Sequence, residues 1–187
     1  METITIKTAK VGSKKNEKEI LRSENSEIIR GLRNLFVDEL NEIYWSETAI
    51  KKTIHKMLKH TSSDELMNEL TKHLEAVKQH QLLLEEVFQN IGEKLEVVKS
   101  KGIEGLIKEV EATMAETKKG ILRDAGIISA ALKIKHYGIA TYGMLCFYAR
   151  ALGETDAAVL LHTTLVQEKE ANEKLSQIIE SMKVEMV

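Results

Sequence analysis

Several polar side chains stand in this sequence where a helical pattern calls for apolar residues. Each lies near the middle of a long amphipathic segment. The residues are Glu47, His73, His80, Lys135, Glu168 and Asn172. Because burying an ionised group alone costs several kcal/mol, four segments that carry such residues at mid-length predict one shared polar layer. Carboxylates and imidazoles that project into the core of a helical bundle are the ligands of many protein metal sites.

Each of these residues also has a purely structural interpretation. Glu47 and Glu168 are candidate metal ligands, or edge positions that pair with lysine. His73 and His80 are candidate ligands, or hydrogen-bonded histidines that fill the core. Two histidines and one carboxylate are enough to hold a single iron or zinc ion. Asn172 fits a hydrogen bond to a ligand residue better than it fits a ligand.

Three other side chains near these positions have simpler interpretations. Tyr142 shares the apolar stripe of Lys135 and is predicted to be a core residue with a hydrogen-bonded hydroxyl, with a redox role as the alternative. Cys146 is predicted to fill the core. Trp45 lies on the side of its helix opposite Glu47, where an exposed indole would mark a subunit contact or a packed tail.

Long helices must position these side chains. Apolar residues recur at alternating spacings of three and four, over about 27–59, 64–91, 120–152 and 155–182. Short connections make the first two and the last two segments antiparallel hairpins. Residues 93–119 join the hairpins and contain an amphipathic piece over 103–117. We therefore predict an all-α, ferritin-like four-helix bundle, in which two antiparallel hairpins are joined by a long crossover that contains a short helix. An up-down bundle with an extra helix is the alternative.

The domain organisation and location follow from composition. We predict a flexible polar tail over 1–26, the bundle over 27–182 and a C-terminal tail over 183–187. The net charge of −2 gives no indication of nucleic-acid or membrane binding, and no apolar run reaches the roughly 18 residues of a membrane span. A single cysteine fits a reducing compartment, so a cytoplasmic protein is expected.

At these residues the chain resembles a known family, the YciE/YciF-like group of bacterial ferritin-like proteins. The resemblance rests on FVDELNEIYWSE (36–47), on His73-Leu74-Glu75 with His80, and on KHYGIATYGML (135–145). It implies a helical bundle that is often a homodimer, a di-iron-type site and a link to stress. The positions that match the family's ligands are Glu47, His73, His80, His136 and Glu168.

The chain departs from the family pattern at several ligand positions. The resemblance implies acids where this chain has Ala76, Lys135, Gly138 and Asn172, so about four carboxylates are missing. Lys135 would place an ammonium where the family holds a metal ion, and we expect it to act as the counter-ion to Glu47 and Glu168. Gly138 is expected to leave a small gap.

These departures separate two main functional hypotheses. The first is a stress-associated structural or binding homodimer with a degenerate di-metal site and no cofactor. The alternative is a ferritin-type, iron-dependent oxidase or peroxide-consuming enzyme with a reduced mono- or di-iron site, for which iron or another divalent metal is the cofactor. A DNA-protecting protein is a third hypothesis, and only the lysines of the N-terminal tail favour it.

Overall fold

The fold is all-helical over the part of the chain that the structure describes. A computed structural model describes residues 9–182, with side-chain environments from residue 23 onward. The helices are α1 (Ala9–His60), α2 (Asp64–Ile91), α3 (Lys101–Glu116), α4 (Ile121–Leu152) and α5 (Thr155–Ser181). The predicted all-α class is confirmed, and α3 is the amphipathic piece predicted within the crossover.

Local sequence signals explain three of the helix ends. The side chain of Ser63 caps α2 by accepting a hydrogen bond from the backbone N–H of Leu66 at 3.3 Å. Gly92 follows α2 and Gly153 follows α4, with φ angles of 68° and 77°, a left-handed conformation that glycine adopts without steric cost. Because the chain contains no proline, nothing breaks the helices between these signals.

Contacts at the two ends of the bundle establish its topology. Near one end, Arg33 of α1 donates a hydrogen bond to the carbonyl of Ile91, the last residue of α2. It donates another to the side chain of Glu154, just before α5. At the other end, Asp124 of α4 accepts hydrogen bonds from the backbone N–H groups of residues 62–63. Helices α1 and α5 therefore run one way, and α2 and α4 run the other way. The crossover joins α2 to α4, which are parallel, so it must run the length of the bundle. A long crossover of this kind is the ferritin-like arrangement.

The neighbours of each helix agree with this topology. Helix α1 packs against α2 and α4, and α5 packs against the same two helices. Helix α3, in the crossover, lies against α4 and α1 on the outside of the four-helix bundle. The four long helices thus enclose the core, and the crossover helix covers one of its edges.

The apolar core consists of two clusters, one toward each end of the bundle. The upper cluster, on the side of Asp124, includes Ile50, Ile54, Leu70, Ile127 and Leu175. The lower cluster, on the side of Arg33, includes Phe36, Leu40, Leu84, Leu145 and Leu161. The polar positions identified in the sequence fall between the two clusters, at mid-height of the bundle.

The N-terminal part of the structure differs from the prediction. Helix α1 begins at Ala9, earlier than the expected start near Glu27. Residues 9–26 are mostly polar and have no sustained apolar period, so the sequence pattern does not indicate this part of α1. Residues 1–8 and 183–187, part of the predicted tails, lie outside the described residues. Within the described range, no helix has a stretch long and apolar enough to cross a bilayer.

The position of Trp45 also differs from the expectation. Its indole is half-buried and packs against the upper cluster. Lys99, just before α3, places its ammonium 6.0 Å from the centre of the ring. The crossover therefore covers this side of α1, and Trp45 gives no support for a subunit contact.

Candidate functional site

Five of the six predicted polar residues, together with Tyr142, form one buried layer at mid-height of the bundle. Helix α1 contributes one of them, α2 two, α4 two and α5 one, and none is more than 7% exposed. The layer consists of Glu47, His73, His80, Lys135, Tyr142 and Glu168. The structure therefore brings all four predicted site residues, Glu47, His73, His80 and Glu168, to the same place.

Helical spacing explains why these side chains point inward together. His73 and His80 are seven residues apart on α2, as are Lys135 and Tyr142 on α4, and seven residues is two helical turns. Each pair therefore lies on the same face as the apolar residues around it. The layer spans about two turns, so its members contact one another across helices as well as along them.

Lys135 is the centre of one half of the layer. Its ammonium nitrogen lies 2.6 Å from Oε1 of Glu168 and 2.5 Å from Nε2 of His73. The lysine is 1% exposed, so these two side chains replace water as its hydrogen-bond acceptors. The predicted ion pair with Glu168 is confirmed, whereas the predicted pair with Glu47 is wrong, since no ion pair within 4.0 Å joins Lys135 to Glu47.

Glu47 belongs to the other half of the layer. Its Oε1 accepts a hydrogen bond from the hydroxyl of Tyr142 at 2.7 Å, and Nδ1 of His80 lies 3.2 Å away. Both groups reach the same oxygen of the Glu47 carboxylate, and neither of them is Lys135. The hydroxyl of the fully buried Tyr142 is hydrogen-bonded, as predicted.

His80 has a hydrogen-bond acceptor at each ring nitrogen. Nδ1 lies 3.2 Å from Glu47 and 3.8 Å from Glu168, and Nε2 lies 3.0 Å from the side-chain oxygen of Gln167. A histidine with both nitrogens facing oxygen acceptors is best satisfied as the imidazolium, because only that form carries two N–H donors. Burial lowers the pKa of His80, but the carboxylates of Glu47 and Glu168 outweigh it and raise the pKa above its ordinary value.

The other histidine of α2, His73, is held in the neutral state. Burial first, then the ammonium of Lys135 and the nearby His80, lowers the pKa of His73 well below its ordinary value. A neutral His73 leaves a lone pair on Nε2, which accepts a hydrogen bond from Lys135. Burial raises the pKa of Glu168, and the ammonium of Lys135 acts against that shift.

The donor set does not fit a di-metal centre. Such a site in a bundle uses about four carboxylates and two imidazoles, and this layer has two of each. The ammonium of Lys135 lies between Nε2 of His73 and Oε1 of Glu168, where it uses both atoms as acceptors and repels any cation. Among the described residues, no three His, Cys, Asp or Glu side chains converge in a way that would hold a metal ion.

The positions where the chain departs from the family pattern take different places in the structure. Gly138 was expected to leave a gap, but the carboxylate of Glu168 fills it: a Cβ at Gly138 would lie 2.5 Å from Oε2. Asn172 does not take part in the layer, and its Oδ1 has no hydrogen-bond partner among the described residues. His136 is exposed on the outer face of α4. Ala76 lines a cleft between α2 and α5 beside His73.

Two functional or structural contacts were not predicted from the sequence. Gln167 is exposed on α5 but reaches back to Nε2 of His80, and a polar residue on the outer face of a helix gives no sequence signal for that role. Asp124 is buried and holds the turn between α1 and α2. Its place in the first turn of α4 was visible, but its partner 62 residues away was not.

Comparison with known proteins agrees with the fold and the motifs. The model of the family described as a domain of unknown function, DUF892, matches residues 31–187. The chain belongs to the DUF892 family. It is 32% identical to the protein YciF of Escherichia coli (strain K12) over 151 residues, which is 80% of this chain and 91% of YciF.

Solved structures of similar proteins have the same fold. The crystal structure of the E. coli stress protein YciF matches with a TM-score of 0.77 and 31% identity, covering 81% of this chain and 98% of that one. YcfI of Rhodopseudomonas palustris, described with a suggested structural role, matches with a TM-score of 0.76 and 35% identity, covering 82% and 95%. The ferritin-like bundle predicted from the sequence is confirmed.

Proposed function

We propose that this DUF892 protein is a metal-poor, stress-associated structural or binding protein that works as a homodimer. One observation carries the proposal: the ammonium of Lys135 lies between His73 and Glu168, within hydrogen-bond distance of both. A lysine in this place supplies the positive charge that a metal ion supplies in a di-iron bundle. The bundle keeps its polar layer but has no open coordination position for oxygen chemistry.

The energetics of the layer favour a structural role. Two opposite charges about 4 Å apart attract by roughly 4 kcal/mol at an effective dielectric of 20, while desolvation of each buried ion costs several kcal/mol. The Lys135–Glu168 pair therefore contributes little net stability. Its effect is to fix which faces of α4 and α5 meet, because any other register would leave one of these charges buried without a partner.

The relatives and the surface support the remaining parts of the proposal. The related YciF is described as a stress protein, and a structural role is suggested for YcfI. Large apolar side chains are exposed on α4 and α5, including Phe147 (56%) and Val159 (62%). Aromatic residues such as Phe147 are enriched in the cores of protein–protein interfaces, and a homodimer contact on this side would cover it. Light scattering after size-exclusion chromatography should give twice the chain mass, and a monomer at micromolar concentration would contradict the homodimer.

The decisive experiment measures metal per chain. Protein purified from iron-supplemented cells should contain less than about a tenth of an equivalent of iron, manganese or zinc, because Lys135 excludes cations. The variant Lys135→Glu adds a carboxylate beside His73 and Glu168 and should gain metal. Lys133→Glu is the matched control, since it changes the same charge on the exposed face of α4 and should gain none.

The same samples test the alternative. One or two equivalents of iron in the parent protein, with a change in absorption when peroxide is added, would overturn the proposal and assign the protein to the oxidase class. Equal metal content in the parent and Lys135→Glu would show that Lys135 is not what excludes the metal.

A further inference from the structure

A cavity of about 310 Å³ lies between α1 and α3, apart from the polar layer. The crossover forms one wall and the outer face of α1 forms the other. Its apolar lining comes from Trp45, Ala49 and Ile107. A volume near 300 Å³ is at the lower end of the range for small-molecule sites, so the cavity suits a ligand with one or two rings.

The charged lining of this cavity is predominantly positive. Four lysines and two glutamates contribute to it, which leaves an excess of two positive charges on a chain whose formal net charge is −2. The charged residues are Lys52, Lys56, Lys99, Lys108, Glu104 and Glu111. A concave surface with an excess of one sign attracts small ions of the opposite sign.

The glutamates leave part of this positive charge unpaired. Glu104 accepts hydrogen bonds from both Lys99 at 2.7 Å and Lys108 at 3.2 Å, so one carboxylate serves two ammonium groups. Hydrogen bonds from Lys99 and then Lys108 lower the pKa of Glu104. Glu111 pairs with Lys56. Lys52 is exposed at the cavity and forms no ion pair within 4.0 Å among residues 23–182.

The aromatic wall lies next to the positive charge. The ammonium of Lys99 is 6.0 Å from the centre of the Trp45 ring. A ligand whose ring contacts Trp45, Ala49 and Ile107 would therefore have lysine ammonium groups within reach of an attached anionic group. A neutral apolar ligand would leave the ammonium of Lys52 without an ion-pair partner, and a simple inorganic anion would leave the apolar wall uncovered.

We propose that the cavity between α1 and α3 binds a small aromatic carboxylate, with its ring against Trp45 and its carboxylate at Lys52 and Lys99. This site is independent of the polar layer and of the proposed metal-poor function. Binding would also link α1 to the crossover, because both walls of the cavity contact the ligand.

The chain offers a direct readout, because Trp45 is its only tryptophan. Benzoate is the probe, benzamide is its uncharged counterpart, and acetate is the carboxylate without a ring. Titration of the full-length protein with benzoate should change the Trp45 emission in a saturable way, with matching heat in calorimetry. Benzamide and acetate should bind more weakly.

A matched pair of variants tests the role of the lysines. Lys52→Gln should weaken benzoate binding roughly two- to fivefold, the range for one exposed charge contact. Lys78→Gln removes a lysine of α2 outside the cavity and should leave the affinity unchanged. Both positions are on the surface side of their helices, and circular dichroism melts of the variants check the fold. No saturable response to benzoate, equal affinity for benzamide, or equal weakening by both variants would overturn the proposal.

Discussion

The carboxylate of Glu168 on α5 occupies the space beside Gly138 on α4. A Cβ at Gly138 would lie 2.5 Å from Oε2 and 3.2 Å from Cδ of Glu168. The other oxygen of the same carboxylate lies 2.6 Å from the ammonium of Lys135, one turn earlier on α4. The glycine and the lysine are therefore two parts of one arrangement, in which α4 provides both the space and the counter-charge for an acid of α5.

Substitution of Gly138 by alanine should destabilise the protein. Alanine is favoured over glycine inside a helix by about 1 kcal/mol, but here its methyl group would displace a buried, ion-paired carboxylate. We expect a net loss of about 1–3 kcal/mol, typical of overpacking. The control is Gly143→Ala on the same helix, where nothing lies within 4 Å of the added Cβ, and it should stabilise the protein by roughly 0.5–1 kcal/mol. Urea unfolding gives both values, and a stabilising Gly138→Ala would contradict the packing described.

Removal of one member of the buried ion pair should cost more than removal of both. Lys135→Met leaves Glu168 buried without its cation and should destabilise the protein by about 3–5 kcal/mol, and Glu168→Met should act similarly on Lys135. The double variant replaces the pair by apolar side chains of similar size and should recover most of the loss. A double-mutant cycle by urea unfolding measures the coupling. Additive losses in the double variant would show that the two residues do not act as a pair.

The fold was predictable because its signals are local. Ser63 caps α2 and glycines end α2 and α4 where the sequence indicated. The existence of the polar layer was also predictable, since Glu47, Lys135 and Glu168 each interrupt an apolar stripe at mid-length. The periodicity shows which face of its helix a side chain lies on, and its place in the segment shows how far along the bundle it lies. Together these are sufficient to place a side chain in the layer.

The pairing within the layer was not predictable from the same information. Lys135 was expected to serve both glutamates, but Glu47 takes its hydrogen bonds from Tyr142 and His80 instead. Which donor reaches which acid depends on differences of an ångström or two between neighbouring helices. The gap expected at Gly138 was filled for the same reason, because a sequence does not show which rotamer a glutamate on another helix adopts.

Asp124 gives a prediction at the upper end of the bundle. Its two carboxylate oxygens accept hydrogen bonds from the backbone N–H groups of Ser62 and Ser63, each at 2.9 Å, and the residue is 2% exposed. Asp124→Asn replaces one acceptor by a donor, so one partly buried N–H loses its partner, and we expect a loss of about 1–2 kcal/mol. Asp156→Asn, in the exposed first turn of α5, should change stability by less than about 0.5 kcal/mol. Thermal and urea unfolding compare the two, and equal effects would contradict a role for Asp124 in holding the turn.

The two buried histidines should give opposite pH dependences. The pKa of His80 is raised above its ordinary 6.5 in the folded protein, so its contribution to stability is fully present below about pH 6.5 and is lost as the pH rises through the raised value. The pKa of His73 is lowered well below 6.5, so its contribution is present above about pH 6.5 and is lost as the pH falls. The free energy of unfolding is measured in urea from pH 5 to 8. The difference between the parent and His80→Gln should shrink as the pH rises. The difference between the parent and His73→Gln should shrink as the pH falls. If both differences changed in the same direction with pH, the assignment of a charged His80 and a neutral His73 would be wrong.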